Sequence, residues 1–203
     1  YIEQAKGNRY FFGTRENVYV ALLKGNRLEL EPEHTISNIH RVQHIHYHVP
    51  TDRPLIGTMA DGFFVYDPQT KMTHNIGNLK DVTMNDAVTA QPSSEEVLIA
   101  TDGNGVYKLN MNTLQLHSFL STTQESDKMN GDIIKDIYLD EEGRVWMTVF
   151  PFSVTIYSDK YPKYEWLHQT NNDSQSLANS RVTQVIEDSD GDIWVTTNNG
   201  IGC

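Results

Sequence analysis

RYFFGT (9–14), RPLIGT (53–58), EVLIAT (96–101), RVWMTV (144–149) and DIWVTT (192–197) are five variants of one segment. Aligned on their last residues, Thr14, Thr58, Thr101, Val149 and Thr197, they recur at intervals of 44, 43, 48 and 48 residues. Three places before each of these positions stands a large apolar residue: Phe11, Leu55, Leu98, Trp146 and Trp194. The next place holds Phe12, Ile56, Ile99, Met147 or Val195, followed by a small residue (Gly13, Gly57, Ala100, Thr148, Thr196). Three columns held in register over five copies indicate a repeated supersecondary unit.

The rest of each period reads as further strands. A first strand lies upstream, as in Ile134–Tyr138 and Val182–Ile186, and tight turns follow it at DEEG (140–143) and DSDG (188–191). Asp, Ser and Gly supply the positive φ and local hydrogen bonds of a hairpin turn. A third strand follows the repeated segment in FFVYD (63–67), VYKLN (106–110) and VTIYS (154–158). A weaker fourth appears in LELE (28–31), QLHSF (115–119) and YEWLH (164–168). No helical periodicity competes, and SLANSRV (176–182) reads as a loop leading into a strand.

Four short antiparallel strands per period predict an all-β protein, a β-propeller whose blades cover each other's faces. A β-sandwich is the competing fold, but it does not require register this regular. The expected blades are residues 1–38, 39–81, 82–129 and 130–177, with a half-blade over 178–203. Closed propellers have roughly four to eight blades. About four and a half are expected here, as part of a larger ring of about six to eight blades, with seven favoured.

Composition narrows the function. Lys and Arg number 16 against 27 Asp and Glu, a net charge of −11. Nucleic-acid binding is not expected, because it needs clustered basic residues to displace counterions. The single cysteine, Cys203, cannot form an internal disulfide. No apolar run approaches the roughly 20 residues that span a bilayer. G-x-S-x-G, P-loop, H-E-x-x-H and Rossmann motifs are absent, so no catalytic residue and no cofactor is expected.

The nearest approach to a metal motif is HRVQHIHYH (40–48). Alternation puts Ile45, Tyr47 and Val49 on one strand face and His44, His46 and His48 on the other. Residues two apart on a strand are about 6–7 Å apart, so at most two imidazoles converge easily on one ion. The reading preferred here is a partly exposed face, whose histidines would titrate near neutral pH. DSDGDIW (188–194) has the look of a sialidase Asp-box or a calcium loop. The Asp-box positions hold Glu187 and Ser189, and the twelfth calcium-loop position holds Asn199. A hairpin turn is expected instead. Trp146 and Trp194 are expected in the core between blades.

Ligands of propellers meet the loops gathered around the axis at one end of the blades. The loops between second and third strands carry Arg15, Glu16, Asp61, Asp102, Asn104, Phe152 and Asn198. Those leading into first strands carry His40, Arg41, Asn85, Asn130, Asn179 and Arg181. Arg15, Asp61, Asp102, Asn104, Phe152, Asn198, Arg41 and Arg181 are the candidate ligand-binding residues. Arg and Asn fork onto hydroxyls or a carboxylate, and Phe152 can stack on a sugar ring.

LANSRVTQVIEDSDGDIWVTTNNGI (177–201) and GDIIKDIYLDEEGRVWMTV (131–149) resemble the two-component-regulator propeller repeat. The shared pattern is a loop Asn, V-x-x-I-x-x-D, D-G, a Trp strand and a G-[LI] turn. ADGFFVYDPQT (60–70) and TDGNGVYKLNMNT (101–113) resemble its following strand and turn. The usual G-T is replaced by Thr196–Thr197 in one copy and Thr148–Val149 in another. The resemblance implies a periplasmic sensor module of a hybrid histidine kinase in an inner-membrane phosphorelay protein. It implies an oligosaccharide or related small-molecule ligand, signalling as a homodimer, and further blades, a membrane helix and a kinase as partners within the parent. The segment itself is not expected to be an enzyme. The alternatives are a propeller lyase or glycan hydrolase, and a non-catalytic protein-interaction scaffold.

Overall fold

A computed structural model describes residues 1–77, 79–90, 94–120, 129, 131–151, 153–158, 166–170, 173 and 176–203. The chain is all-β. The first sheet contains β1 (Ile2–Gln4), β2 (Arg9–Gly13), β3 (Val18–Lys24) and β4 (Arg27–Leu30). The second contains β5 (Val42–His48), β6 (Arg53–Thr58), β7 (Phe63–Asp67) and β8 (Met72–Ile76). The third contains β9 (Met84–Thr89), β10 (Glu96–Thr101), β11 (Val106–Asn110) and β12 (Leu116–Leu120). The fourth contains β13 (Ile133–Leu139), β14 (Val145–Phe150), β15 (Ser153–Tyr157) and β16 (Trp166–Leu167). The fifth contains β17 (Val182–Glu187), β18 (Ile193–Thr197) and β19 (Gly200–Gly202). Every sheet is a meander in chain order with antiparallel neighbours.

The repeated columns explain how the sheets stack. Phe11 packs with Ile45 and Tyr47 of the second sheet, and Leu55 with Met84 and Ala87 of the third. Leu98 packs with Ile134 and Ile137 of the fourth, and Trp146 with Val182 and Val185 of the fifth. Each column residue therefore faces the following sheet. Its successor (Ile56, Ile99, Met147, Val195) points the other way, into the cluster shared with the preceding sheet. Leu55 and Ile56 are both fully buried, and each such side chain contributes roughly 2 kcal/mol relative to exposure. Trp194 departs from expectation: it is 37% exposed where Trp146 is 8% exposed. It occupies the same column, but among the described residues no sheet packs over that face.

The small third column is a matter of space. A methyl group built on Gly57 would overlap Cβ of Met84, the first residue of the next sheet's inner strand, and one on Gly13 would overlap Val42. The anchoring threonine holds the turn after it. Thr58 Oγ1 donates to the Gly62 carbonyl (3.0 Å) and accepts the Asp61 N–H (2.8 Å). Thr101 does the same with Gly105 and Asn104, and Thr197 with Gly200 and Asn199.

The acidic turns are hairpins. Asp140 accepts the backbone N–H groups of Glu142 and Arg144 on one oxygen. Its other oxygen takes Arg144 Nε (2.6 Å) and Trp146 Nε1 (2.8 Å). Asp188 repeats the motif with Asp190, Asp192 and, at 2.6 Å, Trp194 Nε1.

Candidate functional site: loop rim and inner strands

The sheets are drawn together along their first strands, β1, β5, β9, β13 and β17, so these form the inner edge of the arc. Loops from second to third strands and loops entering the first strands lie at one common end. Arg15, Arg41, Asp61, Asp102, Asn104, Arg181 and Asn198 are all exposed there. Phe152, like Asn130, falls outside the described residues.

Backbone hydrogen bonds bring these residues together in pairs. Arg41 N–H donates to the Arg15 carbonyl (2.8 Å), and Asn198 N–H to the Arg181 carbonyl (3.0 Å). Asp102 takes an ion pair from Lys135 at 2.9 Å. The Lys135 ammonium also lies 6.0 Å from the ring centre of Phe150, a 43% exposed aromatic at the end of β14. Reading the sequence missed both Lys135 and Phe150. Phe150 follows Val149 as Arg15, Asp102 and Asn198 follow their threonines, so the register could have found it.

A second constellation lies on the inner strands. His44 pairs across its sheet with Gly57, Asp86 with Ala100, Asp136 with Thr148 and Gln184 with Thr196. All four therefore stand opposite the small-residue column. Tyr1 holds the corresponding place through two hydrogen bonds with Gly13. In each of these four sheets a register shift directly precedes this residue, leaving Gln43, Asn85, Lys135 and Thr183 unpaired. A bulge bends the strand and re-aims side chains. Here Asn85 reaches the Ile134 carbonyl at 2.7 Å, and Lys135 reaches Asp102.

The inner residues join neighbouring sheets. His44 Nε2 is 3.3 Å from Asp86 Oδ1. Asp86 accepts the Ile137 N–H (3.1 Å), and Asp136 accepts the Val185 N–H (3.0 Å). Burial first, then the neighbouring Asp136 carboxyl, pushes the Asp86 carboxyl up to about 8. Burial also holds the Tyr1 phenol up at about 12.

The histidine face is not the exposed surface expected from alternation alone. His44 and His48 are buried, because this side of β5 packs on the third sheet. His46 Nε2 meets Thr89 Oγ1 at 3.0 Å. His48 Nε2 is 2.8 Å from the Ser94 carbonyl, which only accepts, so that nitrogen carries the hydrogen and Nδ1 accepts from the Thr51 hydroxyl at 2.7 Å. The three imidazoles thus end on three different partners. Burial lowers His44 to about 4 and His46 to about 3, so neither titrates near neutrality. Among the described residues, ligand atoms converge at Glu31, Glu33 and His34, where Arg9 Nε already lies 3.5 Å from Glu31.

Among the described residues, cavities lie between sheets. One of about 520 Å³ separates the fourth and fifth sheets and is lined by Arg144, Trp146, His168, Asp192 and Ile193, among others. A smaller one, about 150 Å³, is bounded by Glu96, Lys108, Phe119 and Tyr157. None of the described residues among the sequence-predicted ligand set lines either.

The family model "Two component regulator propeller" matches residues 176–199. This stretch contains β17 and β18. Among solved structures, the chain is similar to the extracellular domain of the hybrid two component system BT4673 from B. thetaiotaomicron. That match has a TM-score of 0.74 and 17% identity, covering 98% of this chain and 26% of that one. PorZ, a surface component of the type-IX secretion system of Porphyromonas gingivalis, gives 0.63 at 13% identity, covering 99% and 27%. The WD40 β-propeller domain of Doa1 gives 0.64 at 12% identity, covering 97% and 60%. The shared architecture is the β-propeller, and the chain spans about a quarter of the length of the first two. A search of curated proteins found no match in sequence.

Proposed function

We propose that this chain is a ligand-sensing propeller segment of a two-component signalling protein, working outside the cytoplasm and without catalysis of its own. The observation that carries this reading is the two-component-regulator repeat at 176–199, whose register recurs through all five sheets. The proposed ligand is an oligosaccharide or a related small polar molecule, taken at the loop rim. Arg15, Arg41 and Arg181 there present guanidinium forks, and Asp61, Asp102, Asn104 and Asn198 present carboxylates and amides suited to hydroxyls. The non-catalytic reading is supported by the inner His–Asp row, whose members are engaged in bonds between sheets. Within the parent protein, the segment would act as part of a homodimer coupled to a membrane helix and a histidine kinase. The net charge of −11 disfavours nucleic acid as a partner.

The test is a thermal-shift and calorimetric screen of the purified chain against oligosaccharides of defined linkage. Saturable stabilisation by one structural class, with the ligand recovered unchanged, supports the sensor. Turnover of a saccharide, or a flat response across the panel, refutes it. A scaffold role is the second reading, favoured by exposed Ile2 and Leu30 on the first sheet and Trp194 and Ile201 on the last.

A further inference from the structure

The linker from the first sheet to the second carries Glu31, Pro32, Glu33 and His34. Glu31 N–H donates to the Val20 carbonyl (2.8 Å) and Ile36 N–H to the Val18 carbonyl (2.8 Å), so both ends of this segment are fixed to β3. Between them Pro32, whose ring presets φ for a helical turn, opens a single 3₁₀ turn over Pro32–His34. Residues three apart are eclipsed in such a turn, which sets Glu31 and His34 on one side. His34 Nδ1 is 3.7 Å from Glu31 Oε2 and 3.8 Å from Glu33 Oε1, and one ligand atom of each residue lies within 4.8 Å of the other two. The two imidazole distances exceed a hydrogen bond, which reaches roughly 3.2 Å. Glu31 Oε2 and His34 Nδ1 are both shut off from solvent without a hydrogen-bond partner, a state that costs free energy and that a ligand would relieve.

We propose that Glu31, Glu33 and His34 form a site for a divalent transition-metal cation of the Zn²⁺ type, held by the His34 Nδ1 lone pair and one oxygen of each carboxylate. This goes beyond ligand sensing and stands whether or not a saccharide binds. Ligand atoms about 2.1 Å from a tetrahedral ion stand roughly 3.4 Å apart, so the observed separations need to close by about half an ångström or less. Glu33, whose side chain is 61% exposed, can swing inward to close them. One imidazole and two carboxylates suit Zn²⁺ with a fourth position left to solvent, whereas Ca²⁺ and Mg²⁺ take oxygen ligands throughout. Arg9 Nε, 3.5 Å from the same Glu31 oxygen, supports that carboxylate from β2. Its charge also weighs most against Ca²⁺ and Mg²⁺, whose binding depends on carboxylate charge. A bound ion would staple the linker into the second sheet to the outer corner of the first.

Calorimetric titration and thermal melting of the whole chain with ZnCl₂, CaCl₂ or MgCl₂ test the site. Zn²⁺ is expected to bind saturably and raise the melting temperature, and the other two ions are not. His34→Ala should weaken Zn²⁺ binding by more than about tenfold, the least that loss of even a supporting group costs a metal site. Glu33→Gln, at an exposed position where folding is not at stake, should weaken it as well and keeps the test open should His34→Ala fail to fold. In the wild-type chain the His34 Nδ1 resonance should move on adding Zn²⁺, an effect that a merely structural role for the turn would not produce. Absence of Zn²⁺ binding overturns the proposal, as does affinity unchanged in a folded variant or an equal response to Ca²⁺.

Discussion

The imidazole of His44 and the carboxyl of Asp86, 3.3 Å apart, join the second sheet to the third in a setting where both are kept neutral. Burial opposes the charged form of each, lowering the base and raising the acid. This determines how stability should vary with pH.

Histidines with depressed folded pKa values contribute stability that is present above about pH 6.5 and lost as pH falls toward the folded values. For His44 and His46 these are about 4 and about 3. Asp86, raised to about 8, works the other way: its contribution is present below the unfolded value and lost as pH rises through the folded one. On the acid side the lowered imidazoles of His44, His46 and His48 outweigh the raised carboxyls of Asp86 and Glu3; above about pH 6.5 the Asp86 carboxyl dominates the change. Urea midpoints should therefore peak near about pH 6.5. A midpoint rising steadily to about pH 9 would contradict this account.

Asp140→Ala should destabilise by roughly 2–4 kcal/mol, since it removes a buried acceptor for Trp146, Arg144 and two backbone N–H groups. Burial pushes this carboxyl up, but the bonds from Trp146 and Arg144 outweigh it and the net shift is downward. Its contribution is present above about pH 4 and is lost as pH falls through the folded value, so the variant should differ least from wild type in strong acid. Denaturation followed by tryptophan emission measures both effects.

Gly57→Ala should cost roughly 1–3 kcal/mol by overpacking, because the added methyl meets Met84 Cβ, close to a main chain that cannot swing aside. Gly103→Ala, where nothing lies within 4 Å, separates steric overlap from strain, since Gly103 has φ near +103°. The double variant Gly57→Ala, Met84→Ala keeps the Cβ of residue 84, so it should not recover the first loss if that overlap is the cause. Calorimetric melting of the three variants distinguishes the outcomes.

Trp146→Ala should cost roughly 3–5 kcal/mol, as for a large aromatic removed from a packed interface, and Trp194→Ala clearly less. The two indoles share a repeat column and an Asp partner, but one is covered by a further sheet and the other is 37% exposed. Equal losses in denaturant titration would mean that the fifth sheet's open face is covered in solution.

The double variant Arg15→Ala, Arg41→Ala should melt within about 1 kcal/mol of the wild type, since both side chains are exposed and their mutual bond is between backbones. Under the sensing proposal it should weaken saccharide binding by about tenfold or more, read by calorimetry. Unaltered affinity would remove these two arginines from the ligand site.

The propeller was legible from the sequence because its cause is local and periodic. Phe11, Leu55, Leu98 and Trp146 must be large to fill the gap to the next sheet, and Gly57 must be small to let Met84 approach. Such demands repeat with every blade and write themselves into columns. The turn aspartates Asp140 and Asp188 are legible for the same reason, since their partners lie within six residues. The inner row of His44, Asp86 and Asp136 was not legible. Its members share a column only after the bulges at Gln43, Asn85 and Lys135, and a one-residue insertion reverses which face each neighbour takes. Contacts between residues about 50 positions apart, such as Asp86 with Ile137, exist only once the sheets have stacked. Packing of whole sheets, rather than any stretch of sequence, set which carboxyls meet and which histidines lose their water.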